Sequence, residues 1–341
     1  MKRDFSMHHA RVGNARRRWD PARDAFQCGL ALIELLVACA IGLFLSGAVC
    51  ALFVTCRNAY AVVEDSARID DNGRYAIEVI GRAVRQAGFV DAAENVQSID
   101  SRVAAIHGID DHWLKSTTAA LDQPVQASIH HSDVLGLRFG GAGSGDSGDG
   151  TILNCAGFGV GLPATGDGAT ALNGWSIFYV ATDRAGEPEL YCKYRGKTAW
   201  ASAAIARGVE SFQVLYGIGD SSEEFPSRFL TASQIDGLDD QLTLSGATPA
   251  LRTRDKGRRS HWQNISEIRI ALLLRGSQPL RAGALVLTHD LFGADYGARF
   301  GATDAGSRVS EAAIPASHRN RLRRVFSTTI RLRNPQPALR P

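Results

Sequence analysis

The chain has 341 residues, of which 45% are hydrophobic and 21% are charged, and its formal net charge is +3. This composition excludes an intrinsically disordered protein and predicts one to three folded domains. Residues 1–29 hold seven Lys/Arg and three Asp, or +4, which leaves +3 − 4 = −1 for the remainder. A nearly neutral remainder gives no electrostatic argument for a nucleic-acid-binding protein.

The first predicted element is an apolar helix. Leu30 to Val54 is a run of 25 residues with a single charge, at Glu34. Such a helix is long enough to cross a hydrocarbon core of about 30 Å. A carboxylate costs on the order of 2.5–3.5 kcal/mol at the bilayer centre, and less near the edge, so it calls for a partner. Cleavage between Gly29 and Leu30 would supply one, because the new amino group of Leu30 would lie one helical turn from Glu34.

The flanking charges predict the orientation of this helix. Seven basic residues precede the apolar run, whereas Arg57 is soon followed by Glu64 and Asp65. The positive side stays cytoplasmic, so the chain beyond about residue 57 faces outward. Two alternatives remain, an unprocessed anchor and a secretory signal cleaved after Ala59-Tyr60-Ala61. The second is less favoured because the run exceeds an ordinary apolar region of roughly 7–15 residues and contains Glu34.

An amphipathic pattern continues the helix. From Val62 to Ala87, apolar residues recur mostly at steps of three and four, with charged residues between them. No proline interrupts residues 30–88, and Gly88 is a typical C-terminal stop. The sequence predicts one helix from about residue 30 to 87, with a membrane anchor as its first half and one face of its second half packed on an outer domain.

Strand patterns follow the helix. Gly174–Thr182 is apolar on both faces, whereas Val209–Ile218, Ile265–Arg275 and Arg321–Arg333 alternate. Shorter strands are predicted at Ser132–Phe139 and Glu189–Tyr194. A loop with short elements is predicted for residues 89–131, and a flexible glycine-rich linker is predicted for residues 140–150. An irregular polar region is predicted for residues 220–262. The fold class is therefore α+β, with an antiparallel sheet of four or more strands on the outer half of the helix.

The six cysteines divide by position. Cys28 lies before the apolar run, and three others, Cys39, Cys50 and Cys56, lie in or beside it, where they serve as small apolar side chains. Cys155 and Cys192 lie in the outer region and are predicted to pair in an oxidising compartment, which would stabilise the fold by roughly 2–4 kcal/mol. No four-ligand zinc pattern is present in the sequence.

Other candidate sites have weaker support. Seven arginines and no acid follow Glu311, which is compatible with DNA phosphates, but strand alternation already explains them as a solvent-facing row. The basic stretch Arg252–Arg259 is interpreted as a solvated loop. His130 and His131, adjacent on a strand, would point to opposite faces and are interpreted as surface residues rather than metal ligands.

Aromatic residues and catalytic motifs add no further site. Trp175, Trp200 and Trp262 are interpreted as core or interface residues rather than a sugar or base platform. The sequence contains no Gly-x-Ser-x-Gly, no phosphate-binding loop and no His-Glu-x-x-His, so an enzyme has little support.

The motif of Gly29, Leu32-Ile33-Glu34-Leu35 and the apolar run resembles the processing site of type IV prepilins. In that family a prepilin peptidase cuts after the glycine and methylates the new amino terminus. Leu30 and Ala31 depart from the usual residues. Further segments resemble the PilW-type minor pilins, namely Asn72-Gly73-Arg74-Tyr75-Ala76, Arg85-Gln86-Ala87-Gly88, Phe178-Tyr179-Val180, Gly208-Val209-Glu210, Tyr216-Gly217, Trp262, the segment 268–273, the segment 324–334 and the lone cysteine pair.

The resemblance implies a pilin-like fold and a division of the chain. Residues 1–29 would be a removed leader, 30–56 the membrane or fibre-core half of the helix, 57–88 its amphipathic half, 89–334 a periplasmic domain and 335–341 a tail. Leu30 would be methylated, and Glu34 would neutralise an amino terminus during assembly.

The resemblance also implies a role. The chain would be an inner-membrane subunit that helps initiate, or caps, a type IV pilus, without catalytic residues, cofactor or metal. Its partners would be other minor pilins, the major pilin, prepilin peptidase and the inner-membrane assembly platform. A minor pseudopilin of type II secretion, a DNA-binding surface pilin and an anchored enzyme remain as alternatives.

Overall fold

The computed structural model describes residues 32–91, 103–163, 172–219, 228–279 and 286–334. Its first element is α1 (Leu32–Gln86), a continuous helix of 55 residues. The chain divides into two compact units at Arg57/Asn58, so α1 contributes to both. The helix confirms the prediction made for residues 30 to 87, and Gly88 follows its end with a φ of 73°. A left-handed residue at this position is a common way for a helix to stop.

The first sheet has five antiparallel strands. These five strands lie side by side in the order in which they occur along the chain, and neighbouring strands are antiparallel. The strands are β1 (Ile106–Ile109), β4 (Val134–Phe139), β5 (Gly174–Thr182), β6 (Pro188–Arg195) and β7 (Trp200–Arg207). The short pair β2 (His112–Trp113) and β3 (Val125–Gln126) lies in the segment between β1 and β4.

The second sheet has four antiparallel strands in the order β13-β10-β8-β9. They are β8 (Val209–Ile218), β9 (Arg228–Leu230), β10 (Ile265–Arg275) and β13 (Arg323–Arg331). Gly208 alone separates β7 from β8 and adopts a φ of 75°. A Cβ at this position would lie 2.5 Å from the Arg275 carbonyl oxygen, so a glycine is required where the chain passes from one sheet to the other.

Short elements complete the fold. The helices are α2 (Ala232–Asp240), α3 (Pro249–Arg259), α4 (Ala294–Phe300) and α5 (Ala316–Arg319). Single 3₁₀ turns occur at Ile129–His131, His261–Asn264 and Glu311–Ala313. The pair β11 (Thr288–Asp290) and β12 (Arg308–Ser310) forms a small antiparallel ribbon.

The main core joins the distal part of α1 to both sheets. Ile69, Ala76, Ile80 and Val84 lie on one face of the helix and are buried. Their spacing of four and seven residues places them on one stripe, as the sequence pattern predicted. The sheets contribute the apolar side chains of one face each, including Leu135, Phe178, Leu190, Phe212, Ile270 and Leu272.

The other face of each sheet is covered by chain from the same unit. Leu114 packs with Val134, Ile177 and Tyr179 on the five-stranded sheet. Leu291, Val309 and Ile314 pack with Ala271 and Leu273 on the four-stranded sheet. Both sheets are therefore covered on two faces, which explains why β8 is buried at all ten positions although its sequence alternates.

The α+β prediction is confirmed, but several finer predictions are wrong. The sequence predicted one sheet, and the described residues form two larger sheets and two short two-stranded pairs. Strand β7 was missed because its run of alanines lacks a strand pattern. Residues 220–262, predicted to be irregular, contain two helices. The stretch 140–150 is folded back in turns, with backbone hydrogen bonds from Ala142 to Val160 and from Asp149 to Ala142, rather than an open linker.

Candidate functional site

The N-terminal part of α1 presents an apolar surface. Thirteen large apolar side chains between Leu32 and Val54 are 52–78% exposed. They are Leu32, Ile33, Leu35, Leu36, Val37, Ile41, Leu43, Phe44, Leu45, Val49, Leu52, Phe53 and Val54. This segment is long and apolar enough to cross a membrane. Apolar exposure on this scale is not found on an isolated soluble domain and marks a membrane or protein contact.

Two hydroxyl groups in or beside this segment have hydrogen-bond partners within the helix. The Ser46 hydroxyl donates to the Gly42 carbonyl at 2.8 Å, and the Thr55 hydroxyl donates to the Ala51 carbonyl at 2.9 Å. An apolar medium offers no hydrogen bonds, so internal partners are needed for every polar group within it. The segment therefore suits a lipid bilayer or a packed bundle of apolar helices.

Glu34 lies in the first turn of α1. The unpaired backbone N–H groups of a first turn carry partial positive charge, which favours a carboxylate there. The predicted cleavage site, Gly29 and Leu30, lies outside the described residues, and so does the leader 1–29. Their roles, and that of Glu34, stay predictions.

The distal part of α1 is fixed to β13 through Gly73. A Cβ at this position would lie 2.5 Å from the Cε2 atom of Phe326, so the ring occupies the space that the glycine leaves. Asp70 also forms an ion pair with Arg324. The Asn-Gly pair inside a helix is thus a packing device rather than a turn.

A buried carboxylate ties the same helix to the end of β10. Asp65 is 4% exposed and accepts hydrogen bonds from the Ser277 amide at 2.9 Å and the Ser277 hydroxyl at 3.0 Å. Gly276 passes so close to the carboxylate that a Cβ there would overlap it. No sequence pattern indicated this contact, because Asp65 and Ser277 are 212 positions apart.

A network of guanidinium and carboxylate groups closes one end of the second sheet. Arg323 has no exposed side-chain surface and donates to Glu210 at 2.6 and 3.1 Å. Arg275 forms ion pairs with two carboxylates, Glu210 at 3.1 Å and Glu187 at 2.5 Å. Arg321 forms a further ion pair with Glu187 at 3.2 Å. Although burial opposes ionisation, hydrogen bonds from Arg275 and Arg321 lower the pKa of the Glu187 carboxyl.

This network corrects the interpretation of the C-terminal arginines. They were assigned to a solvent face, and Arg324, Arg331 and Arg333 are indeed exposed. The Arg323 side chain, however, is completely buried, and that of Arg321 is 14% exposed. Arg319 donates to the carbonyls of Ile314 and Ala312. Alternation along β13 could not reveal that one face of the strand meets acids of other strands.

A disulfide links the loop at Cys155 to β6 through Cys192, with the Cα atoms 5.9 Å apart. The Cys155 amide also donates to the Ser176 hydroxyl at 2.9 Å. The predicted pairing is therefore present. The cysteines of α1, namely Cys39, Cys50 and Cys56, are exposed and free.

The remaining candidates fall into structural roles. His130 and His131 lie in a 3₁₀ turn with φ values of 47° and 54°, not on a strand as assumed, and the His131 ring contacts Asp111 at 3.0 Å. No cluster of three or more metal-ligating residues occurs in the described ranges. The basic stretch Arg252–Arg259 forms most of α3 rather than a loop.

Local sequence signals for the two missed helices were present. Thr231 and Gln234 form a capping box at the start of α2. Thr248 caps α3, and Pro249 occupies its first turn. Neither helix buries a wide apolar face, which is why periodicity alone missed them.

The tryptophans differ from one another. Trp262 is 4% exposed and packs against Tyr216 and His107, and its indole nitrogen donates to Asp236 at 2.9 Å. Trp175 and Trp200 are half-buried and meet edge to face on the five-stranded sheet, with ring centres 5.9 Å apart.

An exposed apolar helix that continues into a folded α+β unit is consistent with a membrane-anchored protein. Comparison with known proteins is more specific. Residues 177–334 match the model of the type IV pilus-assembly protein W family. Over this range the chain is similar to type IV pilus-assembly proteins, which confirms the resemblance found in the sequence.

Two further comparisons add little. No curated protein matches the chain significantly. A type IV-like pilin from Thermus thermophilus aligns with 79% of this chain and 98% of its own length, at 12% identity and a TM-score of 0.36. A similarity of this size supports no argument about function.

Residues of separate family-like segments contact one another in the structure. Phe326, within the matched range, packs on Gly73 of the helix, which precedes that range. The Asn334 side chain donates to the Ala87 carbonyl at 3.3 Å, near the helix end. Segments that resemble the family at separate places in the sequence therefore form one joint between α1 and the second sheet.

Proposed function

We propose that this chain is a minor pilin that helps to initiate assembly of a type IV pilus and is incorporated into the fibre or caps it. The observation that carries the proposal is the apolar surface of α1, with Glu34 as the one acidic residue in its first turn, continuous with a unit that matches the pilus-assembly protein W family. The role is structural and assembly-related rather than catalytic.

The proposed life history has two stages. The unprocessed chain sits in the bacterial inner membrane with its N-terminus in the cytoplasm and its α+β unit in the periplasm, in keeping with the basic leader. Prepilin peptidase then cuts after Gly29 and methylates Leu30. In the fibre, residues 30–56 pack among the apolar helices of other subunits.

Glu34 has a defined part in this proposal. A buried amino terminus without a counter-charge is strongly destabilising, and the carboxylate one turn away provides that charge, on the same chain or a neighbouring one. The partners are other minor pilins, the major pilin and the inner-membrane assembly platform. Because the distal half of α1 is packed on the sheets of the outer unit, this helix would connect that unit rigidly to the fibre core.

Mass spectrometry of the mature amino terminus tests the proposal directly. We expect the protein extracted from membranes of the native host to begin at Leu30 and to carry one additional methyl group. A Gly29→Leu variant should accumulate at full length, because the peptidase would meet a large side chain at the scissile bond.

An Ala31→Thr variant is the matched control and should be processed normally. A native chain that begins after Ala61 would instead identify a secretory signal, and an intact leader would identify an unprocessed anchor. Either result contradicts the proposal.

A further inference from the structure

One end of the five-stranded sheet carries alternating cationic and aromatic side chains on four adjacent strands. Arg138 of β4 is opposite Trp175 of β5, and Arg195 of β6 is opposite Trp200 of β7. The pairing of Ile177 with Lys193 fixes the register between the two middle strands, so Trp175 and Arg195 are level with each other. We call Arg138, Trp175, Arg195 and Trp200 the cation–aromatic row.

The row is held in place by contacts among its own members. The Arg138 guanidinium lies over the Trp175 ring, 4.7 Å from its centre, and donates to the Leu172 carbonyl at 2.8 Å. Trp175 and Trp200 meet at an interplanar angle of 70°. Both indoles keep part of their surface in solvent. Rigid, half-exposed aromatic groups are efficient binding groups because little side-chain entropy is lost when a ligand packs on them.

Positive charge lies beside the row. Arg195 and Lys197 are exposed, and in the part of the chain that the structure describes no carboxylate pairs with Arg195. Lys193 is completely buried, and its ammonium donates to the Thr118 hydroxyl at 3.0 Å and lies 5.7 Å from the centre of the Trp200 ring. Burial lowers the pKa of Lys193 to about 8, although the Asp122 carboxylate acts in the opposite direction. The charge of Lys193 is therefore partly balanced within the chain, and Arg195 is the cation open to a ligand.

The charges at the opposite end of the same sheet are paired. Glu189 forms an ion pair with Arg207 at 3.1 Å, and Glu187, in the turn before β6, pairs with Arg275 and Arg321. Arg184 projects from this turn and is exposed. Arg195 differs from these groups because no carboxylate among the described residues pairs with it, so an anionic ligand would meet an uncompensated cation at the row.

A small cavity adjoins the row. It measures about 220 Å³ and is bordered by Arg138, Trp175, Gly136 and Leu121, among others. Pockets for drug-sized ligands span roughly 300–1,000 Å³, so this cavity has room for a single ring of a longer molecule.

We infer that the cation–aromatic row is a binding site for an acidic polysaccharide, whose sugar rings pack on Trp175 and Trp200 and whose carboxylates pair with Arg138 and Arg195. Carboxylates match the planar fork of a guanidinium. The two arginines are two strands apart, or about 10 Å, so they would meet carboxylates on alternate rings of a chain rather than one small anion.

Single-stranded nucleic acid fits the row less well. Bases bind to single-strand-binding proteins by stacking on successive open aromatic faces. Here the Arg138 guanidinium already covers one face of Trp175, and the edge-to-face contact sets Trp200 at a steep angle to it. A puckered sugar ring packs on one exposed edge or face and does not need two parallel rings. This inference is independent of the proposed role in pilus assembly, because it concerns binding by the purified chain.

Titration of intrinsic tryptophan fluorescence with an oligogalacturonate of defined length tests the inference, using the full chain in detergent. We expect saturable binding that weakens with added salt. Arg195→Ser should weaken it about tenfold, since one charge-assisted hydrogen-bonded pair is lost. Trp200→Leu should weaken it similarly while leaving the charge intact. Arg184→Ser, which removes an exposed arginine at the opposite end of the same sheet, should bind like the unmodified chain.

Several outcomes would overturn the inference. These are no binding of oligogalacturonate, equal binding of a neutral oligosaccharide of the same length, tighter binding of an oligothymidylate, or unchanged affinity in Arg195→Ser. Arg195 is exposed, so its replacement leaves the core intact. Circular dichroism and the state of the disulfide would establish that each variant is folded.

Discussion

At the scale of single residues, three acidic side chains have different roles because they differ in burial and in hydrogen-bond partners. Glu34 lies in the first turn of an exposed apolar helix. Asp65 is buried against backbone and hydroxyl donors of Ser277. Asp304 is half-buried and accepts a hydrogen bond from the Tyr296 hydroxyl at 2.9 Å. The first is expected to act in assembly, whereas the other two act on stability.

Replacement of Glu34 separates processing from assembly. We expect Glu34→Ala to be cleaved normally but to be recovered in sheared fibres at less than about a tenth of the native amount, because an unpaired buried amine is destabilising by several kcal/mol. Quantitative immunoblots of fibre and membrane fractions measure this. Glu78→Ala removes an acid that is 63% exposed on the distal helix and should assemble normally. Native piliation with Glu34→Ala would contradict the charge-pairing role.

Asp304 is expected to make stability depend on pH. Burial raises the pKa of its carboxyl to about 6, against an ordinary value near 4. The unfolded chain therefore loses this proton first, so stability falls as the pH rises from about 4 to 6 and stays lower above that. Asp304→Asn should raise the free energy of unfolding by about 1–2 kcal/mol at pH 7, allowing for partial solvent screening, and by little at pH 4.

Urea unfolding of the full chain at several pH values measures this difference. Asp295→Asn, which changes an exposed acid of α4, is the control variant. A constant difference between Asp304→Asn and the native chain would show that this carboxyl does not titrate in that range.

At the scale of elements, the joint between α1 and β13 depends on the missing side chain of Gly73. Glycine costs a helix about 1 kcal/mol relative to alanine, so its presence in the interior of α1 needs a packing reason. The Phe326 ring provides that reason. The ion pair between Asp70 and Arg324 lies on the same joint, but it is half-exposed and contributes less.

A double-mutant cycle tests this joint. Gly73→Ala should destabilise the fold by about 1–2 kcal/mol, because the new methyl group displaces the Phe326 ring. The same change in a Phe326→Leu background should cost less, or become favourable through helix propensity. Thermal unfolding of the native chain, the two single variants and the double variant gives the coupling free energy between the two positions.

Gly237→Ala in α2 is the matched control, since no atom lies within 4 Å of the position that its Cβ would take. It should stabilise the protein by up to about 1 kcal/mol. If Gly73→Ala had the same effect on stability with and without Phe326, packing of the Phe326 ring would not be the reason for the glycine.

At the scale of the whole molecule, cross-links between distant parts of the chain hold the outer unit together. The disulfide ties the loop at Cys155 to β6. The guanidinium–carboxylate network joins Glu187, Glu210 and Arg323, which come from a turn and two strands. Both join chain segments that are far apart in sequence. The disulfide is covalent and therefore also restricts the unfolded chain, whereas the ion pairs act only in the folded state.

Removal of the disulfide should be tolerated but costly. We expect Cys155→Ala with Cys192→Ala to lower the free energy of unfolding by about 2–4 kcal/mol. Cys39→Ala in α1 should have no such effect, because this thiol is exposed and free. Thiol labelling under denaturing conditions should detect two additional groups after reduction of the native chain, and none in the double variant. Equal stability of the double variant and the native chain would contradict this expectation.

Much of the fold was predictable because it is encoded locally. The helix followed from three- and four-residue periodicity and from the absence of proline, and β5, β8 and β10 followed from their apolar residues. The sites were less predictable. The buried state of Arg323 depends on Glu210, 113 positions earlier, and no pattern in the strand itself carries that information.

The sequence by itself determined the apolar helix with its glycine and glutamate, the pair of outer cysteines and the α+β class, since each rests on spacing between near neighbours or on composition. Only the tertiary structure decided that the long strands form two sheets, that Arg321 and Arg323 turn inward, and that Arg138, Trp175, Arg195 and Trp200 lie in one row. The physical reason is strand register. Pairing between strands distant in sequence fixes which side chains meet, and a shift of one residue would turn each of them to the other face.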